Sequence, residues 1–198
     1  MEPVEFRRRL HAHPELSFKE HATAAFIADR LTELGIEHRP IARTGVLARI
    51  EGHGKADPKR RAIVLRADID ALPITEQNDI GWRSCNPGVM HACGHDMHAA
   101  MLLGAAKLLR EYRTQMQGTV KLVFQPDEEG FTGAKAMLAA GVLTAEPRPQ
   151  SALALHVHSG TPTGLVLCGR GTFMAGCTLF RVTVRGTGCH GAMPETGV

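Results

Sequence analysis

The sequence predicts an α/β fold, in which helices pack against a sheet and the functional residues follow the ends of its strands. Short apolar runs alternate with segments of helical periodicity, and the runs have the length of strands. Three of the runs end in charged or imidazole side chains. Because open α/β sheets bind ligands beyond the carboxyl ends of their strands, we expect a functional site at that edge.

The predicted elements follow each other in the order that such a sheet requires. Ser17 and Glu20 fit a capping box, and apolar residues at helical spacing then predict a helix that Gly35 ends. Further helices are predicted at residues 96–112 and 133–140, and strands at residues 46–50, 62–65, 119–124 and 152–157.

The pattern changes after Gly164. Strands are predicted at residues 165–167 and 178–184, and glycines become frequent. This change predicts a domain boundary within residues 171–175.

Composition excludes several classes of protein. With 43% hydrophobic and 22% charged residues, the 198-residue chain should fold around its own core, and it has no apolar run of membrane length. The net charge of +3 is small and the basic residues are dispersed, which excludes a nucleic-acid binder. The basic residues 59–61 are interpreted as a solvated loop.

Two further features concern location and cysteine chemistry. The first 13 residues contain no apolar stretch of signal-peptide length, so we expect a cytoplasmic protein. Five cysteines, an odd number, favour reduced thiols or a metal ligand over a disulfide framework.

The densest chemical signal spans residues 91–98, just before a predicted helix. Cys93 and His95 offer a thiolate and an imidazole, the ligands that zinc-like ions prefer, and a loop at a helix start can direct both to one point. The alternative is that Cys93 is a small buried hydrophobic residue and the histidines are incidental.

Two other strand ends add carboxylates and imidazole. Glu128 and Glu129 follow a strand, so one can bind metal while the other takes a proton from the attacking water. A solvated acidic turn is the alternative. His156 ends the strand at residues 152–157 and can be a ligand or a hydrogen-bonded core histidine.

A fourth group follows the second strand. Asp68 or Asp70 could orient a ligand histidine, and an ion pair with Arg66 is the structural alternative. The four groups together predict metal-assisted hydrolysis and name no substrate.

Six groups of residues along the chain form longer motifs: residues 10–11 with 13–16, 66–73, 90–98, 124–130, 155–157 with 162–164, and 190–194. These motifs resemble the M20 metallopeptidases, in particular the amidohydrolase branch with hippurate hydrolases, N-acyl-amino-acid amidohydrolases and plant auxin-conjugate hydrolases. Several long motifs in the family's order make this resemblance highly specific.

The resemblance implies a catalytic role for each motif. Cys93, His95, Glu129 and His156 would bind metal, and Glu128 would be the general base. Family members usually hold two divalent ions about 3.5 to 4 Å apart. Manganese or zinc is expected, and cobalt or nickel also suits these ligands. The expected reaction is hydrolysis of the amide bond of small N-acyl amino acids.

The resemblance also implies an architecture. Residues 1–172 would form a three-layer, zinc-exopeptidase-like catalytic domain with a mixed sheet, and residues 173–198 would begin an inserted α+β dimerisation domain. Asp68 would contact the metal ligands without binding the metal itself. His190 would reach the active site of a second subunit in a homodimer and stabilise the oxyanion.

The family chain is longer, and it returns to the catalytic domain with a further ligand histidine. We therefore expect these 198 residues by themselves to be poorly active or inactive. Two alternatives to N-acyl amino acid hydrolysis stay open at this point: a dipeptidase with the same site, and an inactive fragment that only binds metal or a partner chain.

Overall fold

The computed structural model describes residues 2–54 and 62–197. The basic residues 59–61, interpreted above as a solvated loop, lie outside the described residues. The chain divides into two compact units, Met1–His158 and Ser159–Val198. Within the described residues, no helix is both long and apolar enough to cross a membrane.

The first unit contains a five-stranded mixed sheet in the order β1-β2-β4-β3-β5. β1 pairs with β2 and β2 with β4 in antiparallel fashion, whereas β3 is parallel to both β4 and β5. The strands are β1 Glu37–Ile41, β2 Gly45–Glu51, β3 Ala62–Asp68, β4 Thr119–Gln125 and β5 Pro149–Ala154.

Helices cover both faces of this sheet. They are α1 Pro3–Ala12, α2 His21–Glu33, α3 His95–Glu111 and α4 Gly133–Ala139. The central strand β4 is buried along its whole length: Phe124 packs into the core that α1, α2 and α3 share, and Val123 packs with Met137 of α4 on the other face. The predicted α/β class and mixed sheet are therefore confirmed, with three layers in the order helices, sheet, helix.

The predicted capping box at the start of α2 is wrong. The Ser17 hydroxyl donates to Asp70 Oδ2 at 2.7 Å, and the Glu20 carboxylate accepts hydrogen bonds from Thr44 and from the Asp127 N–H. Both side chains bind distant loops because these loops bury backbone and polar groups that need partners.

Two elements escaped the sequence analysis, and one strand is displaced. Helix α1 and strand β1 were not predicted, although Pro3 at the first turn and the bond from the Glu2 N–H to Glu5 Oε2 (2.8 Å) are features of a helix start. The strand predicted at residues 152–157 is β5, which ends at Ala154. His156 therefore lies beyond the strand.

The second unit contains no strand within its described residues, so the strands predicted at 165–167 and 178–184 are wrong. Between residues 159 and 197, only a short 3₁₀ turn, Pro194–Thr196, is regular. Apolar side chains such as Val182 and Val184 are exposed. A strand needs a partner for its backbone N–H and C=O groups, and this segment has none among the described residues. The boundary after residue 172 stays a prediction.

A buried polar network connects α1 to the start of α3. His11 is 3% exposed, and its ring nitrogens lie 2.8 Å from Asp96 Oδ2 and 3.0 Å from Glu76 Oε1. Arg7 Nε also donates to Asp96 Oδ2, at 2.8 Å. Burial by itself would lower the pKa of His11, but the bonds to Asp96 and Glu76 outweigh burial and raise it.

The network predicts a pH-dependent contribution to stability. Because the folded pKa is raised, the contribution of His11 is complete below the unfolded value of 6.5 and is lost as the pH rises through the folded pKa. We therefore expect His11→Gln to lower the free energy of unfolding more at about pH 5.5 than at about pH 9, by urea denaturation against wild type at each pH.

His38→Gln is the control for this measurement, because the His38 ring bonds the Ile36 carbonyl and not a carboxylate. An equal loss of stability at both pH values for His11→Gln would contradict the proposed charge contribution.

Candidate active site

Strand register aligns two of the predicted groups. Asp68, the last residue of β3, pairs with Gln125, the last residue of β4, so the loops that follow both strands leave the same edge of the sheet. These loops carry Asp70 on one side and Glu128 and Glu129 on the other. The sheet thus brings carboxylates from distant parts of the chain together.

The turn that carries Glu128 and Glu129 is fixed by Asp127. Its backbone has a φ of 51°, a left-handed conformation that costs about 1 to 3 kcal/mol for a residue other than glycine. Its N–H donates to Glu20 Oε1 at 2.9 Å, and its carboxylate accepts from the Thr132 N–H at 3.1 Å. Hydrogen bonds from separate segments thus hold the turn in a strained shape.

His95 lies at the centre of the site, at the first position of α3, and is 1% exposed. Its Nδ1 lies 2.9 Å from the Asp70 carbonyl oxygen and 3.2 Å from Asp70 Oδ1. Both neighbours are acceptors, so Nδ1 carries a proton, and Nε2 keeps its lone pair when the ring is neutral. Asp70 therefore orients the His95 ring so that Nε2 faces the site.

Nε2 of His95 faces three carboxylates. It is 3.7 Å from Asp68 Oδ2, 3.8 Å from Glu129 Oε1 and 3.9 Å from Glu128 Oε2. Among the described residues, neither Nε2 nor the buried Glu129 Oε1 has a hydrogen-bond partner. Buried polar atoms without partners cost free energy, and a cation between them would satisfy both.

Three candidate metal groups share His95, and two of them contain no residues other than the predicted ligands and the predicted base. One contains Cys93, His95 and His156, and the other contains His95, Glu128 and Glu129, with one ligand atom from each residue within 4.8 Å of the others. Cys93 Sγ lies 3.5 Å from His156 Nε2. Thiolate, imidazole and carboxylate are ligands for divalent transition metals, so these residues fit such ions.

The local electrostatics favour a bound cation. Burial and the neighbouring Glu129 carboxylate raise the pKa of the Cys93 thiol to about 12. Burial and the charge of Asp68 raise the pKa of the Glu128 carboxyl. Because each group disfavours further negative charge, a divalent ion would lower the free energy of their ionised forms.

Asp68 does not share the hydrogen-bond partner of Asp70. Its Oδ1 lies 2.5 Å from His98 Nδ1, and its Oδ2 accepts from Arg66 Nη1 at 2.8 Å. Burial by itself would raise the pKa of Asp68, but the hydrogen bond to His98 and the charge of Arg66 lower it to about 2. The ion pair considered from the sequence is thus present, and Asp70, not Asp68, bonds His95 Nδ1.

His190 belongs to the second unit. Its side chain is exposed, and its Nδ1 accepts a hydrogen bond from the Ala192 N–H at 3.2 Å. The structure brings Cys93, His95, Glu128, Glu129 and His156 together, and the role of His190 stays a prediction.

Gly94 and His98 are site residues whose roles were not predicted from the sequence. Gly94 caps α3 with a φ of 86°, a conformation that favours glycine. A Cβ there would lie 2.5 Å from Val157 Cγ2. His98 is three residues after His95 on α3, a spacing that puts both rings on one helix face and could have signalled it.

Comparison with known proteins gives a family match and close relatives. The sequence profile of peptidase family M20/M25/M40 matches residues 64–188. The chain is 43% identical over 196 residues to "IAA-amino acid hydrolase ILR1-like 5" of Arabidopsis thaliana, and this alignment covers 98% of this chain and 43% of that protein. It is 42% identical over 194 residues to "N-acyl-L-amino acid amidohydrolase" of Geobacillus stearothermophilus, and that alignment covers 97% of this chain and 50% of the other protein.

A solved structure is similar in fold. The Bacillus subtilis YXEP protein, described as a dinuclear metal binding peptidase from the M20 family, superposes with a TM-score of 0.75 at 42% identity. The match covers 81% of this chain and 44% of that one. The chain spans half or less of the length of each of these three relatives.

Gly94 and Gly88 provide a matched test of the loop before α3. Both have positive φ, but a Cβ at Gly88 meets no atom within 4 Å. In Gly88→Ala, the free energy of unfolding should fall only by the cost of the left-handed backbone conformation, about 1 to 2 kcal/mol. In Gly94→Ala, the free energy of unfolding should fall further, because the added methyl group displaces Val157 and with it the segment that carries His156.

Urea denaturation measures the stability of both variants, and competition with a chelating dye measures their zinc affinity. We expect weaker zinc binding in Gly94→Ala alone. Equal stability losses together with an unchanged zinc affinity would contradict this account of the loop.

Proposed function

The chain belongs to peptidase family M20/M25/M40, and from this premise we propose that its site binds divalent metal and hydrolyses the amide bond of N-acyl amino acids. The observation that carries the proposal is a pair of buried atoms, His95 Nε2 and Glu129 Oε1, which lie 3.8 Å apart beside further carboxylates and have no hydrogen-bond partner in the described part of the chain. The names of the relatives from Arabidopsis and Geobacillus support the substrate class.

Four residues would hold the metal: Cys93, His95, Glu129 and His156. When bound, divalent ions polarise the scissile carbonyl and make water acidic enough to be a nucleophile at neutral pH. Two ions per site are proposed, in line with the dinuclear metal binding that the description of the Bacillus subtilis YXEP protein states. Manganese or zinc, and also cobalt or nickel, suit the mixed ligand set.

Glu128 is proposed as the general base. Its Oε2 lies 3.9 Å from His95 Nε2, and its side chain is only partly buried, so it borders the metal group and stays accessible to water. The raised pKa strengthens the carboxylate as a base and lets the protonated form donate to the leaving amine.

The remaining assignments extend the proposal beyond the described site. Asp68 would support the site through its bonds to Arg66 and His98. His190 would stabilise the oxyanion in a second subunit of a homodimer, and residues 173–198 would begin the domain that forms it. The cytoplasmic location also stays a prediction.

One experiment separates the open functions. The chain is purified without chelator, its metal content is measured by elemental analysis, and it is offered acetylated and benzoylated amino acids and dipeptides with added manganese or zinc. Turnover of the acylated substrates supports the proposal, and preference for dipeptides supports the dipeptidase. Metal without turnover supports the metal-binding fragment, and absence of metal contradicts the ligand assignment.

Substitution of the adjacent glutamates distinguishes their roles. Glu128→Gln should keep its metal content, and any turnover that the wild-type chain shows should fall about 10²- to 10⁴-fold in this variant, because it removes proton transfer. Glu129→Gln should lose metal affinity, because it removes a charged ligand. Metal titration and turnover are measured for both variants. Loss of metal in Glu128→Gln with retention in Glu129→Gln would reverse the two roles.

A further inference from the structure

His156 lies outside the regular structure of the sheet. The last residue pair between β3 and β5 is Arg66 with Ala154, so no strand ladder fixes the backbone at His156. The His156 side chain is exposed, and its Nδ1 lies 2.6 Å from the Val157 carbonyl oxygen. Its approach to Cys93 must therefore be set by contacts of the neighbouring residues.

Val157 supplies these contacts. Its backbone N–H donates to His98 Nε2 at 3.0 Å. Its side chain packs so closely on Gly94 that a Cβ there would be 2.5 Å from Val157 Cγ2. Two contacts, one polar and one steric, thus attach the segment after β5 to the start of α3, next to His95.

Both ring nitrogens of His98 are occupied. The Val157 N–H can only donate, so Nε2 of His98 must be the unprotonated nitrogen, and Nδ1–H donates to Asp68 Oδ1. His98 is 2% exposed, so its ring is shielded from solvent. Asp68 is held in turn by Arg66 Nη1 at 2.8 Å. The side chain therefore has one tautomer and one orientation.

We propose that His98 is a positioning residue: through the Val157 backbone it sets the place of His156 opposite Cys93, and it is not itself a metal ligand. The proposal rests on the metal site proposed above. Asp68, His95 and His98 also have ligand atoms within 4.8 Å of one another. However, the Nε2 lone pair that would bind a metal already accepts the Val157 N–H.

Two substitutions of His98 separate its two hydrogen bonds. In His98→Asn, the amide nitrogen can replace Nδ1 toward Asp68, but the acceptor for Val157 is lost. In His98→Gln, the amide oxygen reaches the position of Nε2 and can still accept the Val157 N–H. We expect His98→Asn to weaken zinc binding by about 10- to 100-fold, and His98→Gln to weaken it much less.

A double-mutant cycle with His156→Ala tests the route of the effect. If His98 acts through His156, His98→Asn causes little further loss of zinc affinity once His156 is absent. If His98 is a ligand, the loss persists in the His156→Ala background. Persistence of the loss, or equal losses in His98→Asn and His98→Gln, overturns the proposal.

Amide hydrogen exchange at Val157 in the metal-free chain gives a readout independent of metal. Exchange should accelerate in His98→Asn and stay slow in His98→Gln. His91→Gln is the control, because His91 is also buried and has no hydrogen-bond partner among the described residues. Unchanged exchange in a folded His98→Asn overturns the proposal. If the wild-type chain binds no zinc but His98→Asn still accelerates amide exchange at Val157, the metal site is refuted and the positioning role of His98 is retained.

Discussion

Negative charge gathered around one buried imidazole is the constraint on which the candidate site depends. Oxygen atoms of the buried Asp68 and of the partly buried Glu128 and Glu129 lie 3.7 to 3.9 Å from His95 Nε2. Burial and the neighbouring Asp68 carboxylate raise the pKa of Glu128, so an ionised Glu128 costs free energy at this place. A divalent cation is the simplest way to offset that cost, and it explains why a thiol and imidazoles lie at the same place.

The fold supplies this arrangement through rigid elements. The parallel strands β3 and β4 end in register, and α3 begins at His95, so three backbone segments converge on a point that the buried sheet holds fixed. Hydrogen bonds from neighbouring side chains also fix the residues around this point. Asp70 orients His95, and His98 connects Asp68 to Val157. Preorganised ligands of this kind lose little conformational entropy on binding metal.

Sequence patterns predicted the elements whose burial is simple. Helices α3 and α4 and strands β2, β3 and β4 were predicted within a few residues, because apolar periodicity reports directly on which face is buried. Pattern reasoning failed where a polar side chain had a distant partner. Ser17 and Glu20 resembled a local cap, yet they bond Asp70 and Asp127. It also failed for residues 178–184, whose alternation is not matched by a partner strand among the described residues.

The sequence by itself determined the kinds of candidate ligand and base and the chain segments that carry them, since residue type fixes the chemistry: Cys93 and His95 before a helix, and Glu128 and Glu129 after a strand. Only the tertiary structure decided how they are used. It assigned Asp70 to His95 and His98 to Val157, and it placed His156 beyond the end of β5. Hydrogen bonds between residues 25 to 59 positions apart depend on strand register and helix placement, which local sequence patterns do not encode.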